Sequence, residues 1–195
     1  MDKFDLILTG VGGQGLITLG RIIGETAIKN NVNALISEVH GMAQRGGQVI
    51  VHVRLGDVNS PLVPIGDANA ILGLELIELI RNIKYANKDT VLIANNRTIR
   101  PSIPKVKIPN KDDLINFLKQ TGLKVILIDA LKLAIEAGSP IAENIVMLGA
   151  LIASTNINKY FTLSDVEEVI KEIIPKRYVE VNLKALKLGY NTVKL

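Results

Sequence analysis

Cysteine is absent from the 195 residues of this chain, and histidine occurs only at positions 40 and 52. Without a thiol, the chain can form no disulfide, ligate no iron–sulfur cluster, build no thiolate zinc site and offer no cysteine nucleophile. Two histidines are too few for a multi-histidine metal centre. If the biology involves iron–sulfur electron transfer, we therefore expect the cluster on another chain.

Aromatic residues and long apolar runs are also scarce. Aromatics make up 4% of the chain and tryptophan is absent, so the rings on which single-stranded nucleic acids stack are lacking. The net charge is +4, but the excess is scattered over the second half and forms no basic stripe for DNA. The acidic N-terminus does not match a signal peptide, and the apolar run 145–153 is too short to span a bilayer. We predict a soluble, cytoplasmic protein that binds neither nucleic acid nor membrane.

Apolar strand patterns alternate with amphipathic helix patterns along the chain, which is typical of an α/β layer fold. The predicted strands are 4–9, 34–39, 48–55, 68–72, 91–94 and 124–129. The predicted helices are 16–30, 75–85, 112–121, 141–155, 164–174 and 178–188. We therefore predict one domain over residues 1–195, built as a three-layer α/β fold. Its largely parallel sheet has the first strand near the centre and helices on both faces.

Local patterns predict the environment of several single residues. The alternation over 48–55 places His52 on the exposed face of a half-buried strand. Ser164 and Glu167 form a capping-box pattern at the start of a helix, and Gly189 is predicted to end the last helix. Asn144 is predicted to cap the apolar helix 141–155.

The first glycine-rich segment, Gly-Val-Gly-Gly-Gln-Gly at 10–15, matches G-x-G-x-x-G between a predicted strand and a predicted helix. Such a loop permits a tight turn and close approach of a ligand, and the helix N-terminus behind it attracts an anion. Gln14 is predicted to aim its amide at that ligand. Glu38 lies where a dinucleotide-binding fold carries an acid for a ribose hydroxyl. On these residues alone, NAD or FAD binding and purely structural glycines both remain open.

The second glycine-rich segment, at 37–47, reads Ser-Glu-Val-His-Gly-Met-Ala-Gln-Arg-Gly-Gly. The imidazole of its His40 suits either acid–base work or a loop hydrogen bond. Its Arg45 offers a fork for a phosphate or carboxylate. A dinucleotide-binding domain continues from its second strand into a helix, whereas this chain continues into a polar loop and another strand. The predicted cofactor-binding set, without catalytic or metal-ligating members, is Gly10, Gly12, Gly13, Gln14, Gly15, Glu38, His40, Gln44, Arg45, Gly46 and Gly47.

Together with these two segments, three later runs carry a resemblance over nearly the whole chain. They are Val-His-Val-Arg at 51–54, Ser-Pro-Leu at 60–62 followed by Gly66, and Asn-Ile-Val-Met-Leu-Gly-Ala-Leu at 144–151. The chain resembles the gamma-type subunits of 2-oxoacid:ferredoxin oxidoreductases, and within that group the small subunits of indolepyruvate ferredoxin oxidoreductases. One departure is Asn69, which stands where the family usually shows an acid.

The resemblance implies a Rossmann-like fold of the pyruvate ferredoxin oxidoreductase domain III type. It also implies a subunit in the oxidative decarboxylation of an arylpyruvate to an acyl-CoA, with coenzyme A as substrate and ferredoxin as electron acceptor. Thiamine diphosphate, Mg²⁺ and 4Fe–4S clusters are then expected on a large alpha subunit. This chain would bind no cofactor firmly and would be inactive by itself. Both a monomer and a homodimer remain open for the isolated chain. The alternatives are an NAD(P)-binding oxidoreductase domain, a non-catalytic scaffold, or a gamma subunit for pyruvate, 2-oxoglutarate or 2-oxoisovalerate.

A second motif nearly matches the thiamine diphosphate–Mg²⁺ signature. Gly66-Asp67-Ala68 is followed at the expected distance by Asn95-Asn96. The third glycine of the signature is missing, and the apolar strand follows the Gly-Asp pair where it should precede it. We therefore interpret Gly66-Asp67 as a turn.

Overall fold

The computed structural model describes residues 3–41, 47–100 and 107–194. Within these residues the chain forms a six-stranded sheet with the order β2-β3-β1-β4-β5-β6. The strands are β1 (Phe4–Val11), β2 (Ala34–His40), β3 (Gln48–Leu55), β4 (Ala68–Gly73), β5 (Ala86–Asn95) and β6 (Lys124–Ile128). Strand β1 lies inside the sheet and is buried over nearly its whole length, which confirms its predicted position near the centre.

The sheet is mixed because of one strand. Strands β1, β4, β5 and β6 pair in parallel, whereas β3 is antiparallel to both of its neighbours, β1 and β2. The segment between β2 and β3 is too short for the crossover that parallel neighbours need, so the chain turns back on itself. The predicted three-layer fold is confirmed, and its largely parallel sheet carries this one reversed strand.

Helices cover both faces of the sheet. One face carries α1 (Leu16–Lys29), α4 (Ala130–Ala137), α5 (Glu143–Ser154), α6 (Leu163–Ile173) and α7 (Lys176–Lys194). The other face carries α2 (Leu76–Arg81) and α3 (Lys111–Gln120). Short 3₁₀ turns form at Ile83–Tyr85, Pro140–Ala142 and Asn156–Lys159. In the described ranges, no helix has both the length and the apolar character that crossing a membrane requires.

Helix α5 is apolar on nearly every side because α7 covers the side that faces away from the sheet. Gly149 of α5 and Gly189 of α7 make this approach possible, since a Cβ at either position would overlap backbone atoms of the opposite helix. Helix α7 runs through Gly189 to Lys194. The prediction that Gly189 ends the last helix was therefore wrong.

One other local prediction was wrong by a shift of two residues along the chain, and one helix was not predicted. The capping box of α6 is formed by Thr162 and Asp165: Thr162 Oγ1 accepts from Asp165 N at 3.3 Å, and Asp165 Oδ2 accepts from Thr162 N at 2.6 Å. The predicted pair, Ser164 and Glu167, lies two residues further along. Helix α4 was not predicted because it buries only small residues, Ala130, Ala134 and Ala137, and so lacks a strong apolar stripe.

Candidate functional site

The first glycine loop joins the carboxyl end of β1 to α1 and is held by Gln14. Gln14 Oε1 accepts from Val11 N at 2.8 Å, and Gln14 Nε2 donates to Leu74 O at 3.0 Å. Gly10 leaves room for this arrangement, because a Cβ there would lie 2.7 Å from Gln14 Oε1. The Gln14 amide thus binds two backbone groups of its own chain and stabilises the loop, and its contact with a ligand stays a prediction.

Asn144, on the first turn of α5, holds the same loop from the second half of the chain. Its Nδ2 donates to Gly15 O at 3.3 Å, and the N-cap position of α5 is occupied by Ala142, which makes no side-chain cap hydrogen bond. Gly15 has a positive φ of 82°, and a Cβ there would lie 2.5 Å from Asn144 Nδ2. Gly15 is thus required by local conformation and by packing. The predicted capping role of Asn144 was wrong.

The two glycine loops meet at the carboxyl edge of the sheet. Gly12 N donates to Gly47 O at 2.9 Å, which joins the first loop to the end of the second. Between them lies a cleft of about 710 Å³, lined by residues 11–13 and 15–18 on one side and by His40, Gly41 and Val49 on the other. Gln44, Arg45 and Gly46 lie outside the described residues.

The start of α1 gives this cleft an anion-attracting wall. The backbone N–H groups of Leu16, Ile17 and Thr18 have no hydrogen-bond partner among the described residues. The first turn of α1 carries no acidic side chain, and Gly15 offers no side-chain cap. Free amides and the positive end of a helix dipole together favour a negative group. The cleft is therefore suited to a phosphate or a carboxylate.

Two smaller clefts adjoin the same loop. One, of about 350 Å³, lies between the loop and the start of α7. The other, of about 200 Å³, lies between the loop and residues 97–99. Gly13 borders all three clefts. It has a φ of 100° and open space where a Cβ would lie, so the loop exposes its backbone at this point.

Glu38 and His40 lie on β2, at the outer edge of the sheet. His40 Nε2 is 3.1 Å from Glu38 Oε2, and both side chains are partly exposed. In this sheet β3 separates β2 from β1, so Glu38 is two strand spacings, about 10 Å, from the strand that leads into the glycine loop. This order argues against a ribose-binding role for Glu38. His40 borders the large cleft, whereas Glu38 is not among its described lining residues.

His52 and Arg54 of β3 are buried, at 3% and 8% exposure, so the prediction of an exposed face for His52 was wrong. His52 Nδ1 accepts from Val63 N at 3.1 Å. Arg54 donates through Nη1 to Ser60 O and Leu62 O, at 2.9 and 3.2 Å. The loop after β3 covers this face of the sheet. Side chains from the run at 51–54 thus hold the following loop, which contains the run at 60–62, against strand β3.

A buried ion pair between β1 and β3 adds to these contacts. Asp5 lies directly opposite Arg54 in the antiparallel ladder. Arg54 Nε donates to Asp5 Oδ1 at 2.6 Å, and Nη2 donates to Oδ2 at 3.2 Å. Asp5 is fully buried, and Lys3 Nζ lies 3.0 Å from its second oxygen. This bidentate pair is structural and lies away from the glycine loops.

The near-match to the thiamine diphosphate signature does not form a site. Asp67 precedes β4 at the amino edge of the sheet and pairs with Lys3. Asn95 ends β5 at the carboxyl edge, where its Oδ1 accepts from Ala130 N at 3.3 Å. The two therefore cannot share one metal ion. Gly66 has a φ of 76°, which confirms the predicted turn. Among the residues that the structure describes, no cluster of three or more acidic or histidine side chains could hold a metal.

Buried carboxylates at the carboxyl edge were missed by sequence reasoning. Glu75 Oε1 accepts from Ile99 N at 3.2 Å, and its Oε2 accepts from Glu78 N at 2.8 Å. Glu143 accepts from Asn95 Nδ2 at 3.1 Å and pairs with Arg97. These bonds hold residues 95–99 across the ends of β4 and β5. Burial raises the pKa of both Glu75 and Glu78. The signal in the sequence was Glu75, an acid two residues after an apolar strand.

Comparisons with known proteins place this architecture in a family. The profile of the family described as pyruvate ferredoxin/flavodoxin oxidoreductase matches residues 5–192. The chain belongs to this family. The indolepyruvate oxidoreductase subunit IorB of Archaeoglobus fulgidus is 41% identical over 97% of this chain and 94% of its own length.

Two further relatives of the oxidoreductase family show how far the likeness extends. The 2-oxoglutarate synthase subunit KorC of Methanocaldococcus jannaschii is 29% identical over 97% of this chain and 94% of its own length. The crystal structure of the keto/oxoacid ferredoxin oxidoreductase gamma subunit from Geobacter sulfurreducens aligns with a TM-score of 0.74 over 98% of both chains. Its sequence is 23% identical, so it supports the fold of this oxidoreductase subunit.

The buried imidazole of His52 predicts a loss of stability in mild acid. Burial, helped by the nearby charges of Arg54 and Lys84, lowers the pKa of His52 below its usual 6.5. Below about pH 6.5 the unfolded chain therefore gains a proton that the folded chain resists, and the free energy of unfolding falls as the pH falls through this range. At higher pH both states carry a neutral imidazole and the full stability is present.

This dependence can be isolated with His52→Asn, whose Oδ1 can still accept from Val63 N but does not titrate. We expect thermal melting to show a steeper fall in stability from about pH 7.5 to about pH 5 for the wild type than for the variant. Glu75 and Glu78 are unchanged in the comparison, so their titration contributes alike to both proteins. Parallel pH profiles would contradict a neutral buried His52.

Proposed function

We propose that this chain is the small subunit of an indolepyruvate (arylpyruvate) ferredoxin oxidoreductase. The observation that carries the proposal is the 41% identity to an indolepyruvate oxidoreductase subunit over nearly the full length of both chains. The relative named for 2-oxoglutarate matches over the same span at 29% identity. An arylpyruvate is therefore favoured over the other 2-oxoacids.

In the proposed complex, the reacting centres belong to a large partner subunit. The chain lacks the thiolates that a 4Fe–4S cluster needs, and its Asp67 and Asn95 lie at opposite edges of the sheet. Its residues thus do not fit a cluster or a thiamine diphosphate–Mg²⁺ site. We assign the 4Fe–4S clusters and thiamine diphosphate–Mg²⁺ to the large subunit. Ferredoxin is then the electron acceptor of the complex, and the complex acts in the cytoplasm.

The contribution of this chain is the glycine-loop cleft at the carboxyl edge. The free amides at the start of α1 suit a phosphate or carboxylate, and coenzyme A brings such phosphates. The members of the predicted set that line this cleft are Gly12, Gly13, Gly15 and His40. They supply part of one wall, and the large subunit supplies the rest. The dinucleotide alternative is disfavoured, because β3 separates β2 from β1 where a dinucleotide-binding fold pairs them.

Co-production with the large subunit tests this proposal. We expect the purified pair to reduce ferredoxin in the presence of an arylpyruvate and coenzyme A, and each subunit alone to show no such activity. Pyruvate, 2-oxoglutarate and 2-oxoisovalerate serve as competing substrates. A pair that prefers one of these would contradict the arylpyruvate assignment, and tight NADH binding by the small subunit alone would favour the dinucleotide alternative.

Arg45 tests the role of the second glycine loop. If its guanidinium grips a phosphate or carboxylate in the complex, Arg45→Ala should lower kcat/KM at least about tenfold, since a charge-assisted pair is lost. Arg45→Lys should restore only part of the activity, because an ammonium cannot form a bidentate fork. Arg21→Ala, which removes an exposed arginine of α1, is the control and should have no effect. Full activity of Arg45→Ala would remove this residue from the site.

A further inference from the structure

Ile141 is the most exposed of the large apolar side chains described, at 86%. It lies in the 3₁₀ turn Pro140–Ala142, and we call residues 139–142 the Ile141 ridge. Ser139 fixes this ridge, since its Oγ accepts from Ile141 N at 3.4 Å and its carbonyl accepts from Ala142 N at 3.1 Å. The ring of Pro140 restricts the backbone further. A rigid, exposed isoleucine loses little conformational entropy when a partner covers it.

The surroundings of the ridge have the composition of a protein interface. Ile141 borders both smaller clefts, the one of about 350 Å³ and the one of about 200 Å³. Tyr178, 45% exposed, lines the first, and Arg97 lines the second. The guanidinium of Arg177 lies 4.6 Å from the centre of the Tyr178 ring. Tyrosine and arginine around an apolar centre are the residue types that dominate binding energy at interfaces.

The charge around the ridge indicates the chemistry of the partner. Lys176 and Arg177 are exposed at the start of α7, and the first turn of this helix carries no acid. Neither side chain forms an ion pair with another described residue. A matching surface would place an apolar pocket over Ile141 and carboxylates opposite these two cations.

We propose that the Ile141 ridge is the main docking point for the large subunit, which offers an apolar pocket with an acidic rim. This inference rests on the proposed function, in which the large subunit carries the reacting groups. Those groups must reach the glycine-loop cleft, so the large subunit must cover the carboxyl edge of the sheet. Gly13 belongs to the large cleft and to both clefts beside the ridge. A subunit that binds at Ile141 therefore also covers the first glycine loop.

The test measures binding of the small subunit to the purified large subunit by surface plasmon resonance or calorimetry. Ile141→Asp should weaken binding by at least about 30-fold, the effect of losing a central apolar anchor. Arg177→Glu should weaken it less and mainly at low salt, because a rim charge acts through screened electrostatics. Thermal melting of the isolated small subunit should not change for either variant. Ile141→Ser is the milder second variant and should also weaken binding.

Ile28→Asp is the matched control. Ile28 is 59% exposed at the end of α1, which lies at the opposite edge of the sheet, so this variant should bind like the wild type. Wild-type affinity of Ile141→Asp and Ile141→Ser, or an equal loss with Ile28→Asp, would overturn the inference. Failure of the wild-type chain itself to bind the large subunit would instead refute the proposed function, so the two failures are distinguishable.

Discussion

Replacing Arg54 with methionine is expected to lower the free energy of unfolding by about 3–5 kcal/mol, although Arg54 lies outside the glycine-loop cleft. The substitution leaves the fully buried carboxylate of Asp5 with Lys3 as its remaining charged neighbour. It also removes the donors to Ser60 O and Leu62 O. A buried charge that the partly exposed Lys3 compensates only in part is the main destabilising factor, and the released loop adds to it.

Chemical denaturation of the isolated chain measures this effect, and a double-mutant cycle assigns its cause. Asp5→Asn combined with Arg54→Met should be less destabilised than the sum of the two single variants, because no charge remains buried. Lys88→Met is the control: Lys88 and Asp89 form an exposed pair at 3.7 Å, and its loss should change stability by less than about 0.5 kcal/mol. Additive losses in the cycle would show that Asp5 and Arg54 do not act as a pair.

The contacts of Arg54 with Asp5 and with the loop after β3 show which parts of the fold could be predicted from the sequence. The alternation over 48–55 correctly predicted a strand, and the apolar run 4–9 correctly predicted its neighbour near the centre. Alternation cannot show what covers the second face, however. That face is covered by the loop after β3, whose position depends on contacts between side chains and backbone carbonyls that leave no periodic signal. His52 was for this reason assigned to an exposed face.

The position of the candidate site could be predicted from the sequence, but the hydrogen bonds within it could not. Two glycine-rich segments after predicted strands indicated the carboxyl edge, and the bond from Gly12 N to Gly47 O joins them there. The hydrogen-bond partners of its polar side chains lie far away in the sequence. Gln14 reaches Leu74, and Asn144 reaches Gly15 across 129 positions. Single-sequence reasoning assigns such polar residues to a ligand or a cap, because it cannot see the distant backbone group that binds them.

The approach of α5 to α7 was missed for the same reason: a glycine in a helical pattern suggests an end, while its function here is to remove a side chain. Gly189 lies within α7, and the overlap that a Cβ would create is with the carbonyl and backbone carbons of Val146. Backbone atoms of a buried helix cannot turn aside as a side chain can. The helices would have to separate along their whole contact, which also loosens α5 from the sheet.

Gly189→Ala is therefore expected to lower the free energy of unfolding by about 3 kcal/mol or more, even though alanine favours a helix over glycine by about 1 kcal/mol. Gly149→Ala should have a similar effect, because its Cβ would overlap Leu186 O from the other side. The control is Gly24→Ala in α1, whose Cβ would meet only the end of the Ile36 side chain, at 2.5 Å. Since that side chain is flexible and partly exposed, the control should lose less than about 1 kcal/mol. Denaturant titration of the three variants measures these losses. Equal stabilities for Gly189→Ala and Gly24→Ala would mean that α5 and α7 separate freely. Close backbone packing would then not be the reason for a glycine at position 189.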